Sequence, residues 1–396
     1  MFLNHVRVLD LTNVLAGPYC GHQLAHMGAD VIKIEIPEKG DLARELGASD
    51  ELNQKKMGIS FLAQNAGKRS ITLNLKSAKG KQLFEDLVTK SDVVLENFRP
   101  GVMNRLGLDY DSLISINPKL IYCAISGFGS SGEWVNRPAY DQIIQGLSGV
   151  MSITGDSESA PLRVGYPVAD TFGGLTAAFA IVSALSEPQR KGCFIDVSML
   201  ESMLSSMGWV VSNFLNQGVI PKPLGNNNMT SSPSGAFKTQ DGMINIAANQ
   251  QQHFASICHV LGKESWLSDK RFESRQDRIN NRNELNWLLE QELIKQPCTY
   301  WVEVFNQDGI PCGPVLTVPE VMNSDQIQSR KLTKTYRFSD VLEQKIEVIT
   351  TGFMINDQRP ELDNPPPLLG QHTHEILAEL GYSNIEISAL FKEGVL

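Results

Sequence analysis

The stretch that decides the fold is VRVLDLTNVLAGPYCGHQLAHMGADVIKIEI, residues 6–36. It begins and ends with runs rich in valine, isoleucine and leucine, VRVLDL (6–11) and VIKIEI (31–36), which predict two strands. A Gly-Pro pair follows the first run, and a helix is predicted from about Pro18 to Met27 because proline is favoured in a first helical turn. A strand, a helix and a second strand at this spacing indicate a βαβ unit with parallel strands.

The same alternation continues along the chain. Further strands are predicted at ITLNL (71–75), DVVLEN (92–97), LIYCAIS (120–126) and FIDVSM (194–199). Helical segments are predicted near 77–89, at 109–117, from Tyr140, at 171–187 and at 200–215. This order of elements predicts an α/β domain built on a parallel sheet.

The character of the sequence changes after residue 215. Residues 218–234 are rich in Pro, Asn and Ser and are predicted to form a linker, and AFKTQDGMINIAA (236–248) is predicted to form a hairpin that turns at Asp241-Gly242. We therefore expect a large α/β domain over 1–215, a linker and small α+β domain over 216–325, and a C-terminal segment over 326–396 that returns to the large domain. Helices are predicted from about His374 and Ile385.

Composition excludes several classes of function. The chain has 396 residues, and its 35 Lys and Arg against 44 Asp and Glu give a net charge of −9, which argues against a general nucleic-acid binder. Residues 65–105 nevertheless hold eight basic against four acidic residues, a local charge of +4 that is either a phosphate-binding patch or an ordinary solvated face.

The same composition bears on location and metal binding. The longest nearly apolar run, 173–185, is shorter than a membrane span, and no secretory signal is visible, so we expect no membrane partner and a cytoplasmic location. The cysteines lack zinc-site spacing, so no structural metal is expected; they are Cys20, Cys123, Cys193, Cys258, Cys298 and Cys312.

Familiar nucleotide and hydrolase motifs are missing from the sequence. It contains no P-loop motif, no G-x-G-x-x-G after the first strand and no G-x-S-x-G elbow. A P-loop nucleotidase, a dinucleotide site with the usual fingerprint and a serine hydrolase are therefore disfavoured.

Asp170 is the strongest candidate for a reactive side chain. It lies in VGYPVADTFGG (164–174), where an extended run meets a long apolar helix. One interpretation is a helix N-cap, in which the carboxylate accepts backbone N–H groups. The other is a nucleophile, with Gly173 and Gly174 allowing a ligand or partner backbone to come close.

The sequence as a whole resembles the class III CoA-transferases, the family of formyl-CoA:oxalate and carnitine CoA-transferases. The resemblance rests on nine segments in register: RVLDLTNVLAGP (7–18), GADVIKIE (28–35), NAGKRSITLNLK (65–76), SDVVLENFRPGVMNRLGL (91–108), NPKLIYCAISGFGSSG (117–132), PAYDQIIQGLSG (138–149), VADTFGG (168–174), GIPCGPV (309–315) and LLGQHTHEIL (368–377). It implies a large Rossmann-like α/β domain, a smaller α+β domain and an interlocked homodimer.

The resemblance also implies the chemistry. Asp170 would attack an acyl-CoA to form a mixed anhydride and then an aspartyl-CoA thioester, from which a small carboxylic acid takes up CoA. CoA is a co-substrate in this scheme, and no tightly bound cofactor is implied. The residues implied to contact CoA are Leu15, Ala16, Leu73, Asn74, Leu75, Lys76, Asn97, Phe98, Arg99, Arg105, Tyr140, Asp141 and Met199.

Two departures from the formyl-CoA enzymes bear on the substrate. Leu15 stands where those enzymes have a glutamine, and NNNMTSSPSG (226–235) stands where they have a glycine-run loop. These differences put formate and oxalate in doubt and suggest a larger acyl group. The segment SFLAQNAGKRSITLNLK (60–76) is most similar to the branch that acts on glutarate-type dicarboxylates.

Two alternatives remain open at this point. The related α-methylacyl-CoA racemases pair the same aspartate with a histidine, but this chain has Tyr140-Asp141 at the matching position, and only His22 and His26 could be recruited instead. A non-catalytic CoA-binding protein would keep the basic contacts and would tolerate the loss of Asp170.

Overall fold

The computed structural model describes residues 1–338 and 345–396. It contains a six-stranded sheet in which every neighbouring pair of strands is parallel. The strands are β1 (Arg7–Asp10), β2 (Asp30–Glu35), β3 (Lys68–Thr72), β4 (Val93–Glu96), β5 (Ile121–Ser126) and β6 (Cys193–Ser198). Their order, β3-β2-β1-β4-β5-β6, is that of a doubly wound Rossmann-like sheet, which confirms the predicted α/β class.

The helices follow in chain order, together with two 3₁₀ turns at Leu42–Glu45 and Glu264–Leu267. They are α1 (Ala16–His26), α2 (Asp50–Gln54), α3 (Ile59–Leu62), α4 (Ala78–Val88), α5 (Val102–Leu106), α6 (Tyr110–Ile116), α7 (Asp141–Leu147), α8 (Val150–Ile153), α9 (Val168–Leu185), α10 (Met199–Ser206), α11 (Gly208–Gln217), α12 (Gln251–Val260), α13 (Arg275–Asn280), α14 (Arg282–Leu293), α15 (Cys298–Gln307), α16 (Val318–Met322), α17 (Asp325–Ser329), α18 (Thr373–Glu379) and α19 (Asn384–Lys392).

Both faces of the parallel sheet are buried, because successive strand side chains point to opposite faces. Val8 and Val93 belong to one core, which also contains residues of α1, α9 and α10. Leu9 and Val94 belong to the other core, which also contains residues of α4, α6, α18 and α19. The near-continuous apolar runs of the predicted strands follow from this double burial.

Two local differences from the sequence-based expectation have clear causes. Strand β3 ends at Thr72, because beyond Leu73 the chain leaves the sheet. Asn74 then donates its backbone N–H to the carbonyl of Val395 at 2.8 Å. The single helix predicted over 200–215 is two helices, because Gly208 has a φ of +44°, which interrupts α10 before α11 begins.

The chain forms two compact units. The first comprises Met1–Val150, Arg163–Val219 and Lys331–Leu396, and the second comprises Met151–Leu162 and Ile220–Arg330. The sequence-based division had placed residues 151–162 in the large domain. No local pattern distinguishes this short segment from its neighbours.

The second unit contains a three-stranded antiparallel sheet in the order β7-β8-β9. Its strands are β7 (Ser234–Lys238), β8 (Met243–Ala247) and β9 (Cys312–Pro314). The predicted hairpin is present, and helices α14 and α15 contribute Leu289 and Phe305 to the core behind it. The unit is therefore of the α+β type.

The first unit also contains a two-stranded sheet that was not predicted from the sequence. It consists of β10 (Thr333–Arg337) and β11 (Lys345–Ile349), which are antiparallel. Its strands carry many charged residues, and only Tyr336, Ile346 and Val348 are buried.

Helix α9 is apolar enough to cross a membrane by length and composition, but core helices of other proteins meet the same criteria.

Candidate active site

The strand order reverses between β1 and β4, where doubly wound proteins usually bind their ligands. The loops that follow these two strands are joined by a reciprocal pair of hydrogen bonds. The backbone N–H of Asn13 donates to Oδ1 of Asn97, and Nδ2 of Asn97 donates to the carbonyl of Asn13, both at 2.8 Å. Asn97 therefore holds together the two loops at the carboxyl edge of the sheet.

A cavity of about 320 Å³ opens at this edge. It brings together eight of the residues that the family resemblance implied: Leu15, Ala16, Asn97, Phe98, Arg99, Tyr140, Asp170 and Met199. The rest of its lining is Asn13, Val14, Leu42, Ile125, Ser126, Gly127 and Ala139. The wall is mostly apolar, and its only charged side chains among the described lining residues are those of Arg99 and Asp170.

Asp170 lies in the first turn of α9, whose N-cap residue is Pro167. The N-cap interpretation of Asp170 is therefore wrong. The carboxylate of Asp141 takes that part instead, since its Oδ1 accepts the backbone N–H of Ala169 at 2.9 Å. Asp141 is buried and lines neither this cavity nor the neighbouring one.

The environment of Asp170 favours its protonated form. Within the described part of the chain, no side chain or backbone group donates a hydrogen bond to this carboxyl group, and no cation pairs with it. Burial, with a smaller contribution from the negative charge of Asp141, raises the pKa of Asp170 to about 7. A raised pKa beside a cavity is typical of a reactive group rather than a structural one.

The two glycines after Asp170 serve packing within the chain. A Cβ on Gly174 would lie 2.3 Å from the carbonyl oxygen of Ala16, and one on Gly173 would lie 2.9 Å from Cγ of Met199. The expectation that they admit a ligand or a partner backbone is corrected accordingly. They let α9 approach α1 and α10, which places Asp170 beside the loop that follows β1.

That loop is strained and is held by buried charges. Val14 has a φ of +68°, a conformation that costs a β-branched residue on the order of 1–3 kcal/mol. Oδ1 of Asp41 accepts the backbone N–H of Val14 at 2.9 Å, and Nζ of Lys33 donates to the carbonyl of Thr12 at 2.8 Å. Lys33 and Asp41 also form a fully buried ion pair at 2.9 Å. The pair thus supports the cavity wall.

Sequence reasoning missed Lys33 and Asp41. The available signal was a lysine in the middle of VIKIEI, a strand otherwise predicted to be buried. A buried lysine requires a partner, and here that partner comes from the turn after the strand.

A second cavity, of about 530 Å³, adjoins the first through Asn13 and Phe98, which line both. It contains the remaining residues of the predicted nucleotide site, Leu73, Asn74, Leu75, Lys76 and Arg105. Its wall is largely apolar, and its charged lining residues are Lys76, Arg105 and Glu35, of which Glu35 pairs with Arg44 at 2.7 Å.

Five of the eight basic residues of 65–105 fall into two groups. Lys68 pairs with Asp10 at 2.8 Å, and Arg69 pairs with Asp30 and Glu379, so these cations serve the fold. Lys76, Arg99 and Arg105 are exposed, and no carboxylate of the described residues pairs with them. Only this second group lines the cavities.

His22 and His26 take no part in the cavity. Both are buried on α1, with their Nε2 atoms 3.2 Å apart, and Nδ1 of His22 lies 3.3 Å from the carbonyl oxygen of Ala66. Burial lowers the pKa of His22 well below its usual value and that of His26 to about 4. Neither imidazole is placed to exchange a proton with a ligand beside Asp170.

A doubly wound sheet that carries a high-pKa carboxyl group and two arginines without a described carboxylate partner at its switch point is typical of proteins that act on an anionic ligand. Comparison with known proteins identifies the family. The profile of CoA-transferase family III matches residues 3–373. The chain belongs to this family and is a CoA-transferase, an enzyme that transfers CoA between carboxylic acids and uses CoA thioesters as co-substrates.

Several proteins named as CoA-transferases are similar to this chain over most of their length. The succinate–glutarate CoA-transferase of Agrobacterium fabrum is 35% identical over 96% of this chain and 95% of that protein. The succinyl-CoA:glutarate CoA-transferase of Mus musculus is 35% identical over 100% of this chain and 90% of its own. The acetyl-CoA:oxalate CoA-transferase of Acetobacter aceti is 39% identical over 82% of this chain and 83% of its own.

The fold is also shared with a solved structure. A CAIB/BAIF family protein from Brucella suis superposes with a TM-score of 0.82 at 35% sequence identity, covering 95% of this chain and 98% of its own. The predicted family is thus confirmed by sequence and by structure.

Proposed function

We propose that the enzyme moves CoA from an acyl-CoA donor to a small dicarboxylic acid through covalent intermediates on Asp170. This proposal rests on the Asp170 carboxyl group, which lines a mostly apolar cavity. Among the described residues, none donates a hydrogen bond to this group and no cation forms an ion pair with it. A carboxylate that the fold does not stabilise is a stronger nucleophile than one held in an ion pair.

The cycle begins when the ionised Asp170 attacks the thioester carbonyl. The carbon–sulfur bond breaks, CoA leaves as its thiolate, and a mixed anhydride remains. The thiolate then attacks the aspartyl carbonyl of this anhydride, which releases the donor acid as its carboxylate and leaves an aspartyl-CoA thioester. Splitting the exchange into steps in this way conserves the activated thioester bond without ATP.

The second half of the cycle reverses these steps with another acid. The acceptor carboxylate attacks the aspartyl thioester and expels the CoA thiolate, which forms a second anhydride. The thiolate attacks the acceptor carbonyl and frees the Asp170 carboxylate. No proton is gained or lost overall.

The two adjoining cavities suggest how CoA is held. Lys76 and Arg105 line the larger cavity and have no carboxylate partner among the described residues, and phosphate groups prefer such cations. The apolar walls around Leu73 and Leu75 suit the adenine ring, and the smaller cavity would then receive the thioester end beside Asp170. Leu15 in that cavity supports an acyl group larger than formyl.

Trapping with hydroxylamine tests the covalent mechanism. Incubation with succinyl-CoA and hydroxylamine should inactivate the enzyme, because the amine converts the acylated Asp170 to a hydroxamate. Peptide mass analysis should find the modification on Asp170 and not on Asp141, the nearby carboxylate that serves as an internal control. Inactivation that depends on turnover but leaves Asp170 unmodified would refute the mechanism.

The same experiment separates the alternatives. A racemase would exchange an α-proton without forming a hydroxamate, and a non-catalytic CoA-binding protein would neither form a hydroxamate nor transfer CoA. A chromatographic screen of small mono- and dicarboxylates, with acetyl-CoA and succinyl-CoA as donors, identifies the acceptor. Transfer to glutarate but not to oxalate would support the glutarate branch.

The proposal includes a homodimer and a cytoplasmic location. Helices α9 and α11 expose large apolar side chains, including Phe179 at 74% and Leu215 at 72% exposure, and such surface in a single chain is typical of a subunit interface. Light scattering at micromolar concentration should give twice the chain mass of 43.7 kDa, and a particle of a single chain mass would contradict the dimer.

A further inference from the structure

One buried amide side chain joins helix α7 to the start of helix α9. Gln145 is fully buried, and its amide group makes three hydrogen bonds. Its Nε2 donates to Oδ2 of Asp141 at 2.7 Å and to the carbonyl of Tyr166 at 3.3 Å, and its Oε1 accepts the backbone N–H of Val164 at 2.8 Å. Both donors and one acceptor site of the amide are therefore used within the chain.

These hydrogen bonds lead to the first turn of α9. Asp141 and Gln145 are four residues apart on α7, so their side chains lie on the same face of that helix. The Asp141 carboxylate accepts the amide of Gln145 on one oxygen and the backbone N–H of Ala169, at 2.9 Å, on the other. The chain of hydrogen bonds from Gln145 thus ends at the residue that precedes Asp170.

The segment before α9 depends on the same amide. Residues 163–167 belong to neither a helix nor a strand, so their backbone groups need partners elsewhere. Gln145 supplies one for the N–H of Val164 and one for the carbonyl of Tyr166. It therefore fixes the direction from which the chain enters α9, whose N-cap residue is a proline without a capping side chain.

The position of the Asp170 carboxyl group depends on this frame. No described residue donates a hydrogen bond to the carboxyl group or forms an ion pair with it. Its place beside the cavity is therefore set by the backbone of the first turn of α9. A displacement of a reacting group by about 1 Å can lower a reaction rate about a hundredfold.

We propose that Gln145 is a positioning residue for the covalent reaction of Asp170. It holds the Asp141 carboxylate and the backbone before α9, so that the first turn of α9 presents the Asp170 carboxyl group to the cavity. This inference rests on the proposed function, because it assumes that Asp170 is the nucleophile. Gln145 is not among the residues that line the cavity, so it acts through the backbone and not on the substrate.

An amide suits this position better than a charged side chain. It donates to a carboxylate and accepts from a backbone N–H within one group, and it adds no charge near Asp170. A cationic side chain would pair with Asp141 but would leave the N–H of Val164 without an acceptor. The cation that does pair with Asp141 is Arg163, which lies 3.8 Å away and is half-exposed.

The test measures the covalent step in a variant without these hydrogen bonds. Gln145→Met keeps the length of the side chain and removes all three. The rate constant for hydroxamate formation at Asp170, measured with enzyme in excess over succinyl-CoA, should fall about a hundredfold. The Kd for CoA, measured by calorimetry, should not change. Urea denaturation gives the folded fraction under the assay conditions, and the rate is normalised to it. A normalised rate equal to that of the wild type would overturn the proposal.

Asn117→Leu is the matched control. The Asn117 amide also makes three hydrogen bonds to the backbone, since Nδ2 donates to the carbonyls of Val88 and Ser91 and Oδ1 accepts the N–H of Lys119. It precedes β5, at the edge of the sheet opposite the cavity. Asn117→Leu should lower the free energy of unfolding but leave the normalised rate unchanged. An equal fall of the rate in both variants would show that the rate follows a general loss of stability, and the proposal would be wrong.

An exchange of the two side-chain groups keeps the test decisive if Gln145→Met does not fold. Gln145→Glu alone brings two carboxylates into contact and should slow the covalent step. Adding Asp141→Asn restores a hydrogen bond between an amide and a carboxylate, and both backbone N–H groups, of Val164 and Ala169, keep an acceptor. The double variant should therefore react within about tenfold of the wild-type rate, since it lacks only the longest bond, to Tyr166. A folded double variant that reacts a hundredfold more slowly would contradict the role of Gln145.

The outcomes also distinguish this inference from the function on which it rests. If the wild-type enzyme forms the hydroxamate at Asp170 and Gln145→Met forms it at the same normalised rate, only the role of Gln145 fails. If the wild-type enzyme forms no hydroxamate at Asp170, the covalent mechanism fails and the positioning role fails with it.

Discussion

Two groups of charges in the first unit are treated in opposite ways. Asp41 lies beside the strained loop, where Lys33 and two backbone N–H groups surround its carboxylate. Burial alone would raise its pKa, but these partners outweigh burial and the pKa of Asp41 lies below its usual value. Asp170 lines the cavity beside this loop but has no such partner among the described residues, and its pKa is raised to about 7. The fold stabilises the charges that shape the cavity and leaves the charges that face it uncompensated.

The same division holds for the cations. Lys68 is buried against Asp10, while Arg99 and Arg105 at the cavities have no carboxylate partner among the described residues. In this protein the sign of a side chain's charge therefore does not indicate its role, whereas the presence of an ion-pair partner does. A paired charge belongs to the scaffold, and an unpaired one is available to a ligand.

The largest expected effect comes from removing the unpaired carboxyl group. Asp170→Ala should lower kcat for CoA exchange by at least about four orders of magnitude, because no other group can carry the covalent intermediate. CoA binding, measured by calorimetry, should persist. The fold should also persist, since the carboxyl group makes no ion pair with the described residues. Exchange at the wild-type rate in this variant would show that the reaction does not need the Asp170 carboxyl group.

Removing a carboxylate that forms a buried ion pair should instead lower the free energy of unfolding. Asp41→Ala leaves Lys33 buried without its partner, and breaking a buried ion pair in this way typically costs about 3–5 kcal/mol of unfolding free energy. Urea denaturation measures this loss. Asp41→Asn is the matched control, because its amide oxygen can still accept the N–H of Val14 while the charge is absent. A stable Asp41→Ala protein with wild-type kinetics would show that the ion pair is dispensable.

Much of this molecule could be predicted from its sequence, for local reasons. The β-branched runs that form β1 and β2, and the turn that begins α9 near Asp170, depend on neighbours in the chain. The pairing of charges could not be predicted in the same way. Lys68 and Asp10 are 58 residues apart, and nothing in the pattern around Lys68 distinguishes it from the unpaired Lys76. Only the packing of β3 against the rest of the sheet decides which lysine is used by the fold.

The nucleotide cavity sharpens the comparison for cations. Arg105→Gln should raise KM for acyl-CoA about tenfold, since it removes a cation that no described carboxylate pairs with and that can contact a phosphate. Lys79→Gln is the control, because Lys79 is also exposed but pairs with Glu393 at 2.6 Å. Steady-state kinetics with a fixed acceptor measures both. An equal effect of the two substitutions would show that pairing does not separate scaffold charges from ligand-binding charges.

The smallest expected effect concerns the pH dependence of the covalent step. Only the ionised carboxylate attacks, so the rate of hydroxamate formation should rise with pH through about 7 and then level off. Burial is the larger cause of the raised pKa and the charge of Asp141 the smaller. Asp141→Asn should therefore move this rise only slightly to lower pH.

The raised pKa of Asp170 also makes the stability of the fold depend on pH. The folded protein holds the Asp170 proton up to about pH 7, whereas the unfolded chain releases it near its ordinary value of 3.8. Between these values the folded state binds more protons, so this group's contribution to the free energy of unfolding falls as pH rises. Urea denaturation of the wild type and of Asp170→Asn should show a difference that grows between these limits and is constant above pH 7. A difference that does not change with pH would mean that Asp170 has the same pKa in the folded and the unfolded chain.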